Sequence, residues 1–269
     1  MFQKKLPAIL LSVVLLTGCV SMTSLKFDAN SNENYDFTYD EIDNPYLVQL
    51  RTEFDLDKII TGCTSDLEKI RALSAWVQNL WEHDGSNTPQ KSDPISILHE
   101  AQNGARFRCV EYAIVLNGCL NAVGITSRTL GLKTKDVETR GSGAGHVVLE
   151  AYLKDLDKWM MVDSQWDAIP VLNGTPLNAV EFQNALLNNH SNVDILSAAV
   201  FSKEYYFKWI GEYLFYFDVL LDNHVVSRTS PMSLMLVPIG EKNPTVFQRK
   251  WPIDNMIYTN SVNAFYEKP

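Results

Sequence analysis

Three residues, Cys109, His146 and Asp163, have the types and the order needed for covalent catalysis by a thiol. Cys109 lies in the run RFRCVEY, His146 follows a glycine-rich stretch, and Asp163 closes the next apolar run. In such a set the thiolate attacks an acyl carbon, the imidazole moves the proton, and the carboxylate orients the imidazole. The pattern therefore predicts acyl transfer through a thioester.

The elements that must position these residues can be predicted from the neighbouring sequence. Cys109 opens an apolar run to Gly124 that is typical of a buried helix, whose positive end would favour the thiolate. Residues 127–132, 146–153 and 158–162 read as strands, and the last two form an antiparallel hairpin. Such a hairpin brings His146 and Asp163 to the same end of the paired strands.

Further helices and strands surround this centre. A capping box at 65–68 predicts a helix up to Gly85, Asp93 before a proline predicts a helix ending near Gly104, and residues 178–188 have a helical period. Residues 191–269 are aromatic and read as short strands, among them 205–207, 213–217 and 233–237. These strands predict a β-rich C-terminal extension, either a continuation of the sheet or an appended β layer.

At these residues the chain resembles the transglutaminase-like superfamily, over roughly residues 68–170. The motifs are CVEYA from Cys109, AVGITSR from Ala122, GHV from Gly145 and VDSQWD from Val162. The resemblance implies an α+β, papain-like core in which the cysteine-bearing helix packs on an antiparallel sheet. It also implies Cys109 as nucleophile, His146 as general base and then acid, and Asp163 as its orienter, without a metal or organic cofactor.

The surroundings of Cys109 depart from the family in one respect. The family commonly has a Gly-x-Cys turn, whereas Phe107 and Arg108 precede this cysteine. Two nearby arginines would favour the thiolate or crowd the acyl site. For the oxyanion hole we expect the Cys109 backbone N–H and, as a second donor, the side chain of Gln102. Residues 141–145 are expected to form a mobile loop that delivers His146 or gates the cleft, and the other four histidines to be surface or capping residues.

The N-terminus indicates export. A cationic start, an apolar run at residues 6–16 and the sequence LTGC at residues 16–19 resemble a bacterial lipoprotein signal. We therefore expect a signal peptide over 1–18, lipidation of Cys19, and attachment to the bacterial cell membrane or outer membrane; an ordinary secretory signal cut nearby is the alternative. The remaining chain divides into a flexible tether over 19–44, a transglutaminase-like domain over 45–190 and the extension over 191–269.

Composition limits the partners and the thiol chemistry. The 269 residues carry a net charge of −9, and removing residues 1–18 with their two lysines leaves −11, which argues against nucleic-acid partners. With Cys19 lipidated, an odd number of cysteines remains. Cys63 and Cys119 could pair, but we favour both as small buried side chains. The Cys/His spacing does not suggest zinc.

The sequence thus favours a membrane-anchored, transglutaminase-like thiol enzyme. Its expected substrates are amide bonds of peptides or cell-envelope proteins, with a cysteine protease or amidase favoured over a cross-linking acyltransferase because hydrolysis is the less demanding chemistry. Two alternatives stay open: a catalytically silent module that binds peptide or glycan on the same fold, and a structural envelope lipoprotein. The joint presence of nucleophile, base and orienter favours the enzyme. If the C-terminal residues formed a lid over Cys109, activity would require a partner or a large motion.

Overall fold

The computed structural model describes residues 23–269, so the predicted signal peptide and Cys19 lie outside the described residues. The helices are α1 Pro45–Glu53, α2 Leu56–Ile59, α3 Asp66–Gln78, α4 Pro94–Gln102, α5 Cys109–Ala122, α6 Ala179–Asn188, α7 Lys203–Gly211 and α8 Val262–Phe265. The strands are β1 Ser127–Lys133, β2 Gly145–Leu153, β3 Lys158–Val162, β4 Ile169–Leu172, β5 Thr175–Pro176, β6 Val193–Leu196, β7 Tyr216–Leu220, β8 Ser233–Leu236, β9 Val246–Phe247, β10 Trp251–Pro252 and β11 Met256–Thr259.

The main sheet has the strand order β11-β8-β7-β1-β2-β3. Its pairs are antiparallel except for β11 with β8, and β2 and β3 form the predicted hairpin, with Leu149 opposite Val162. The predicted α+β class with an antiparallel sheet is confirmed. Since β1 also pairs with β2, Leu132 lies opposite His146 at the end of the sheet where Asp163 follows β3.

Both faces of the sheet are covered by helices. Leu149 and Ala151 pack in one core cluster with α1, α3, α4 and α5, whereas Leu130, Leu132 and Val148 pack in another with α6, α7 and α8. The alternation of side chains along a strand produces this division. The cysteine-bearing helix is therefore buried against one face of the sheet, as predicted.

Helix α5 is held close to α4 by a glycine. A glycine inside a helix costs roughly 1 kcal/mol relative to alanine. Here a Cβ at Gly118 would meet Cγ of Pro94 at 2.5 Å, so only glycine lets the two helices approach this closely. The close contact fixes the position of α5 and thereby of its first residue, Cys109.

The predicted helix starts are confirmed, and one predicted end is not. Ser65, Asp93 and Asn178 each accept a hydrogen bond from a backbone N–H in the first turn of their helices. Helix α3 ends at Gln78 rather than running to Gly85. The following residues bond across the fold instead: the Trp81 carbonyl accepts from the Tyr112 hydroxyl at 2.6 Å, and the Asp84 N–H donates to the Phe107 carbonyl.

The predicted tether is wrong for residues 23–44, which pack along the body of the domain. Asp28 pairs with Ser261 and Thr38 with Asp222 in isolated β-bridges. The Phe27 ring lies 6.3 Å from the Phe217 ring, edge to face. The sparse aromatic residues of this segment have no period that sequence reasoning detects, because their partners come from distant parts of the chain.

The C-terminal extension is a continuation of the main sheet, because β7, β8 and β11 form half of it. One predicted strand there is wrong: residues 205–207 lie in α7, whose N-cap Ser202 accepts from the Tyr205 N–H at 3.3 Å. Aromatic residues favour strands only weakly, and their packing decides the outcome. Tyr206, Trp209, Ile210 and Tyr213 recur at the i, i+3, i+4, i+7 spacing of a helix, which is the signal that could have revealed α7.

Candidate active site

A cavity of about 760 Å³ lies at the N-terminus of α5, and both Cys109 and His146 line it. Its volume is in the range of roughly 300–1,000 Å³ that is usual for ligand pockets. The half-buried Cys109 is the first residue of α5, and His146 is the second residue of β2. The structure thus brings together two residues that are 37 positions apart in the sequence.

His146 lies between a carboxylate and a thiol. Its Nε2 is 2.9 Å from Oδ2 of Asp163, and both side chains are buried. Because a carboxylate only accepts, Nε2 carries the hydrogen and donates it. The Cys109 side chain is near enough to His146 to influence its pKa, and Nδ1 is the ring nitrogen that does not bond to Asp163.

Asp163 is fixed by more than its contact with His146. Its Oδ1 accepts from the backbone N–H groups of Gln165 at 3.2 Å and Trp166 at 3.4 Å. Its Oδ2 also accepts from the Tyr206 hydroxyl at 3.1 Å. A reciprocal pair of backbone hydrogen bonds with Ala168 holds the turn that follows β3. The carboxylate therefore has one orientation, and it imposes one on the imidazole.

The electrostatics of the site favour a charged imidazole. Burial is the strongest influence on His146 and opposes its protonation, but the charge and hydrogen bond of Asp163, together with Cys109, raise the pKa of His146 to about 10. At neutral pH the ring is then an imidazolium, the partner that a reactive thiolate requires. Burial and the charge of His146 lower the pKa of His83, a second histidine at the cavity, so His83 is neutral at pH 7.

Sequence reasoning missed the contribution of α7. The Trp209 ring lies edge to face with the His146 ring at 4.8 Å, and the Tyr213 ring lies 5.9 Å from it. Both aromatic residues line the cavity, as do Phe247 and Gln248 from the C-terminal region. That region therefore forms part of the cavity wall. His83 is exposed, as expected for a surface residue, and it also lines the cavity.

The predicted second oxyanion donor is in the wrong place. Gln102 is exposed at the end of α4 and is not among the residues that line the cavity. The helix ends there, and a six-residue connection separates this residue from Cys109. Gln165, which follows Asp163 by two positions, lines the cavity instead.

The two arginines before Cys109 have different partners. Arg106 pairs with the exposed Glu82 at 2.7 Å. Arg108 pairs with the buried Glu111 at 2.6 Å, and its backbone N–H donates to the same carboxylate. Only Arg108 lines the cavity. In the loop before His146, Arg140 donates to the Gly143 carbonyl at 3.2 Å.

Cys63 and Cys119 are free thiols; Cys119 is buried as predicted, whereas Cys63 is only partly buried. Burial in α5 raises the pKa of the Cys119 thiol. Among residues 23–269, no group of three or more His, Cys, Asp and Glu side chains is arranged to hold a metal ion. Within the same range, no helix is both long and apolar enough to cross a membrane.

Comparisons with known proteins give one family match and several similar solved structures. Residues 56–164 match the family model of the transglutaminase-like superfamily. Among solved structures, a candidate cysteine protease from Cytophaga hutchinsonii is 15% identical, with a TM-score of 0.37 over 62% of this chain and 56% of that one. Red sea bream transglutaminase is 13% identical, with a TM-score of 0.34 over 62% of this chain and 31% of that one.

The chain thus spans between about a third and just over half of the length of these two structures. Among curated proteins, none matches the sequence. The family match covers the stretch that contains Cys109, His146 and Asp163. Over residues 56–164, the chain is similar to the transglutaminase-like superfamily.

Proposed function

We propose that the protein is a thiol enzyme that acts on amide bonds of peptides or cell-envelope proteins, with Cys109, His146 and Asp163 as its catalytic residues. The observation that carries the proposal is the buried His146 side chain, which bonds to Asp163 through Nε2 and lines the same cavity as Cys109. Nucleophile, base and orienter are the parts that covalent acyl transfer needs.

The proposed reaction has two halves. Sγ of Cys109 attacks the amide carbonyl carbon, His146 protonates the nitrogen, and the C–N bond breaks to give an amine and a thioester on Cys109. An acceptor then attacks the thioester carbonyl and gives its proton to His146, and the C–S bond breaks to release the acyl product and restore the thiolate beside the protonated His146. We favour water as the acceptor, because hydrolysis requires no second binding site for an amine.

The orientation of the imidazole supports these roles. Asp163 accepts four hydrogen bonds from His146, Tyr206 and two backbone N–H groups, so it holds the ring without moving itself. The Cys109 backbone N–H belongs to the first turn of α5, where it has no partner within the helix, and it is our proposed oxyanion donor.

The reactivity of Cys109 toward iodoacetamide tests the catalytic proposal. We expect rapid alkylation at pH 6–7 in the full chain purified in detergent, and at least about a hundredfold slower alkylation after His146→Ala. Cys63→Ser and Cys119→Ala remove the other described thiols, and His99→Ala, an exposed histidine elsewhere, is the matched control. A thiol that reacts slowly and equally in all variants would point to the silent binding or structural protein instead.

We also propose that a lipid on Cys19 anchors the protein to the membrane. The Gln183 side chain donates to the Thr23 carbonyl at 3.0 Å, so the chain is already part of the domain four residues after Cys19. Four residues span at most ~14 Å. A lipidated Cys19 would therefore hold the folded domain against the membrane rather than at the end of a long tether.

Expression in a bacterial host with an alkyne-labelled fatty acid tests the anchor. The protein should incorporate the label and sediment with membranes, and Cys19→Ala should abolish both while Cys63→Ala changes neither. A soluble, unlabelled wild-type protein would favour the ordinary secretory signal.

A further inference from the structure

The cavity is lined by basic side chains in an acidic protein, although burial lowers the pKa of Lys133 to about 7, so this lysine is fully charged only below neutral pH. Arg108 and Lys133 line it, together with the protonated His146. Within residues 23–269, none of the residues that line the cavity is an aspartate or a glutamate. The whole chain has a net charge of −9, so this local charge is opposite to that of the molecule.

Lys133 is placed at the cavity by a carboxylate behind it. Its Nζ bonds to Oδ1 of Asp218, which lies on the neighbouring strand β7 and does not line the cavity. A Cβ at Gly131 would meet that same oxygen at 2.5 Å, so glycine is required for Asp218 to reach the lysine. The ammonium group has three N–H donors, and Asp218 is its partner among the described side chains.

Arg108 is held in a similar way. Its Nε and one terminal nitrogen donate to the two oxygens of Glu111, at 3.2 and 2.6 Å. A guanidinium has five N–H donors, so this bidentate contact leaves donors for a further acceptor. The arginine side chain is 33% exposed, whereas Glu111 is fully buried. The cation therefore faces the cavity, and its counter-ion does not.

We propose that this cavity selects amide substrates that carry a carboxylate close to the reacting carbonyl, and that Arg108 and Lys133 bind this carboxylate. The proposal rests on the function proposed above for Cys109. Charge-assisted hydrogen bonds are the strong class, and the planar guanidinium matches the geometry of a carboxylate. Since Arg108 directly precedes Cys109, the bound carboxylate lies within a few bonds of the carbonyl that the thiol attacks. The negative charge of the whole chain opposes long-range attraction, so the selection acts through contact.

The relative rates of two alkylating reagents measure this preference directly. Iodoacetate carries a carboxylate and iodoacetamide does not, and each forms a C–S bond to Cys109 with loss of iodide. We expect the ratio of the iodoacetate rate to the iodoacetamide rate to be about tenfold higher in the folded full chain than in the same chain unfolded in urea. Cys63→Ser and Cys119→Ala confine the reaction to Cys109 among the described cysteines.

Variants of Lys133 and Asp218 test whether this ion pair causes the preference for iodoacetate. Lys133→Gln combined with Asp218→Asn removes both charges and should lower the ratio by about tenfold. Lys135→Gln is the matched control, because Lys135 lies two residues further, pairs with Glu241 and does not line this cavity. A double variant that keeps the wild-type ratio would overturn the proposal.

Peptide competitors distinguish the two sources of a carboxylate. Acetyl-Ala-Glu-Ala-amide presents a side-chain carboxylate, acetyl-Ala-Gln-Ala acid a terminal one, and acetyl-Ala-Gln-Ala-amide neither. If the cavity binds one of these carboxylates, the peptide that carries it should slow the reaction of Cys109 with iodoacetamide at a lower concentration than the neutral peptide does. Equal protection by all three peptides would contradict the proposal.

A failure of the catalytic proposal gives a different result. In that case Cys109 would react slowly with both reagents, as a free thiol does, and His146→Ala would change neither rate. The carboxylate preference is then decided by calorimetric titration of the same three peptides. Tighter binding of an acidic peptide that is lost in the Lys133/Asp218 double variant would support the cavity assignment, and equal binding would refute it.

Discussion

At the scale of single residues, the candidate site depends on how Asp163 is held. A carboxylate at the surface stabilises a neighbouring charged histidine only weakly. Asp163, in contrast, is fully buried and accepts hydrogen bonds from two side chains and two backbone groups. Within this arrangement the pKa of His146 rises to about 10 although burial acts against it. His146 is therefore protonated at neutral pH, next to the side chain of Cys109.

The raised pKa of His146 predicts a pH-dependent contribution to stability. The folded value of about 10 lies above the ordinary value of 6.5, so protonation stabilises the fold fully below about pH 6.5, and this stabilisation is lost as the pH rises through 10. We expect the difference in unfolding free energy between the wild type and His146→Gln to shrink between pH 6.5 and 10, as measured by urea titration. In an Asp163→Asn background the same replacement should show a weaker dependence. A difference that stays constant with pH in the wild-type background would contradict the ion pair.

At the scale of elements, α7 is the part of the site that sequence reasoning did not predict. Tyr206 donates to Asp163, and Trp209 covers one side of His146. Both side chains come from the region after residue 190, beyond the family match at 56–164. Helix α7 therefore completes the surroundings of the imidazole from outside the core that carries the thiol.

Removing the cover over His146 should reduce the reactivity of Cys109. We expect Trp209→Ala to slow alkylation by iodoacetamide about tenfold, because the imidazole becomes more mobile and more accessible to water. Trp209→Phe should retain most of the rate. Tyr205→Ala on the same helix is the control, since its side chain is 59% exposed and does not line the cavity. Circular dichroism would verify that each variant is folded. Wild-type reactivity in Trp209→Ala would show that α7 is structural only.

At the scale of the whole molecule, the N-terminal segment belongs to the domain. Phe27 and Phe37 pack against the core cluster beneath α6, α7 and α8, and the Phe37 ring lies 5.5 Å from the guanidinium of the buried Arg128. Asp40 and Glu33 bond to the Val225 N–H and to Thr259, respectively. These contacts connect the segment to strands and loops near the C-terminus.

A chain that begins at Pro45 should therefore be less stable than one that begins at Val20. The shorter chain loses the burial of two phenylalanines, each worth about 1–3 kcal/mol, so we expect its free energy of unfolding to fall by at least about 2 kcal/mol. Urea titration of the two chains measures the difference. Phe37→Ala in the longer chain should reproduce part of the loss, and Val200→Ala, a fully exposed residue, should not. Equal stability of the two chains would support the original prediction that the segment before Pro45 is a flexible tether.

The sequence by itself determined the local elements and the identity of the candidate residues. Helix starts at Ser65, Asp93 and Asn178 and the β2–β3 hairpin follow from capping and alternation, which act over a few residues. The order of Cys109, His146 and Asp163 indicated the chemistry for the same reason, since each residue occupies a recognisable position at the end of an element.

Only the tertiary structure decided which distant groups surround that chemistry. Tyr206 on Asp163, Trp209 on His146 and Asp218 behind Lys133 are contacts between segments 43–85 residues apart, and no local period encodes them. The same reason explains the errors at Gln102, in α7 and over residues 23–44. In each case the local sequence pattern was weak. Whether the residue or segment is buried against a distant part of the chain determined its structure instead.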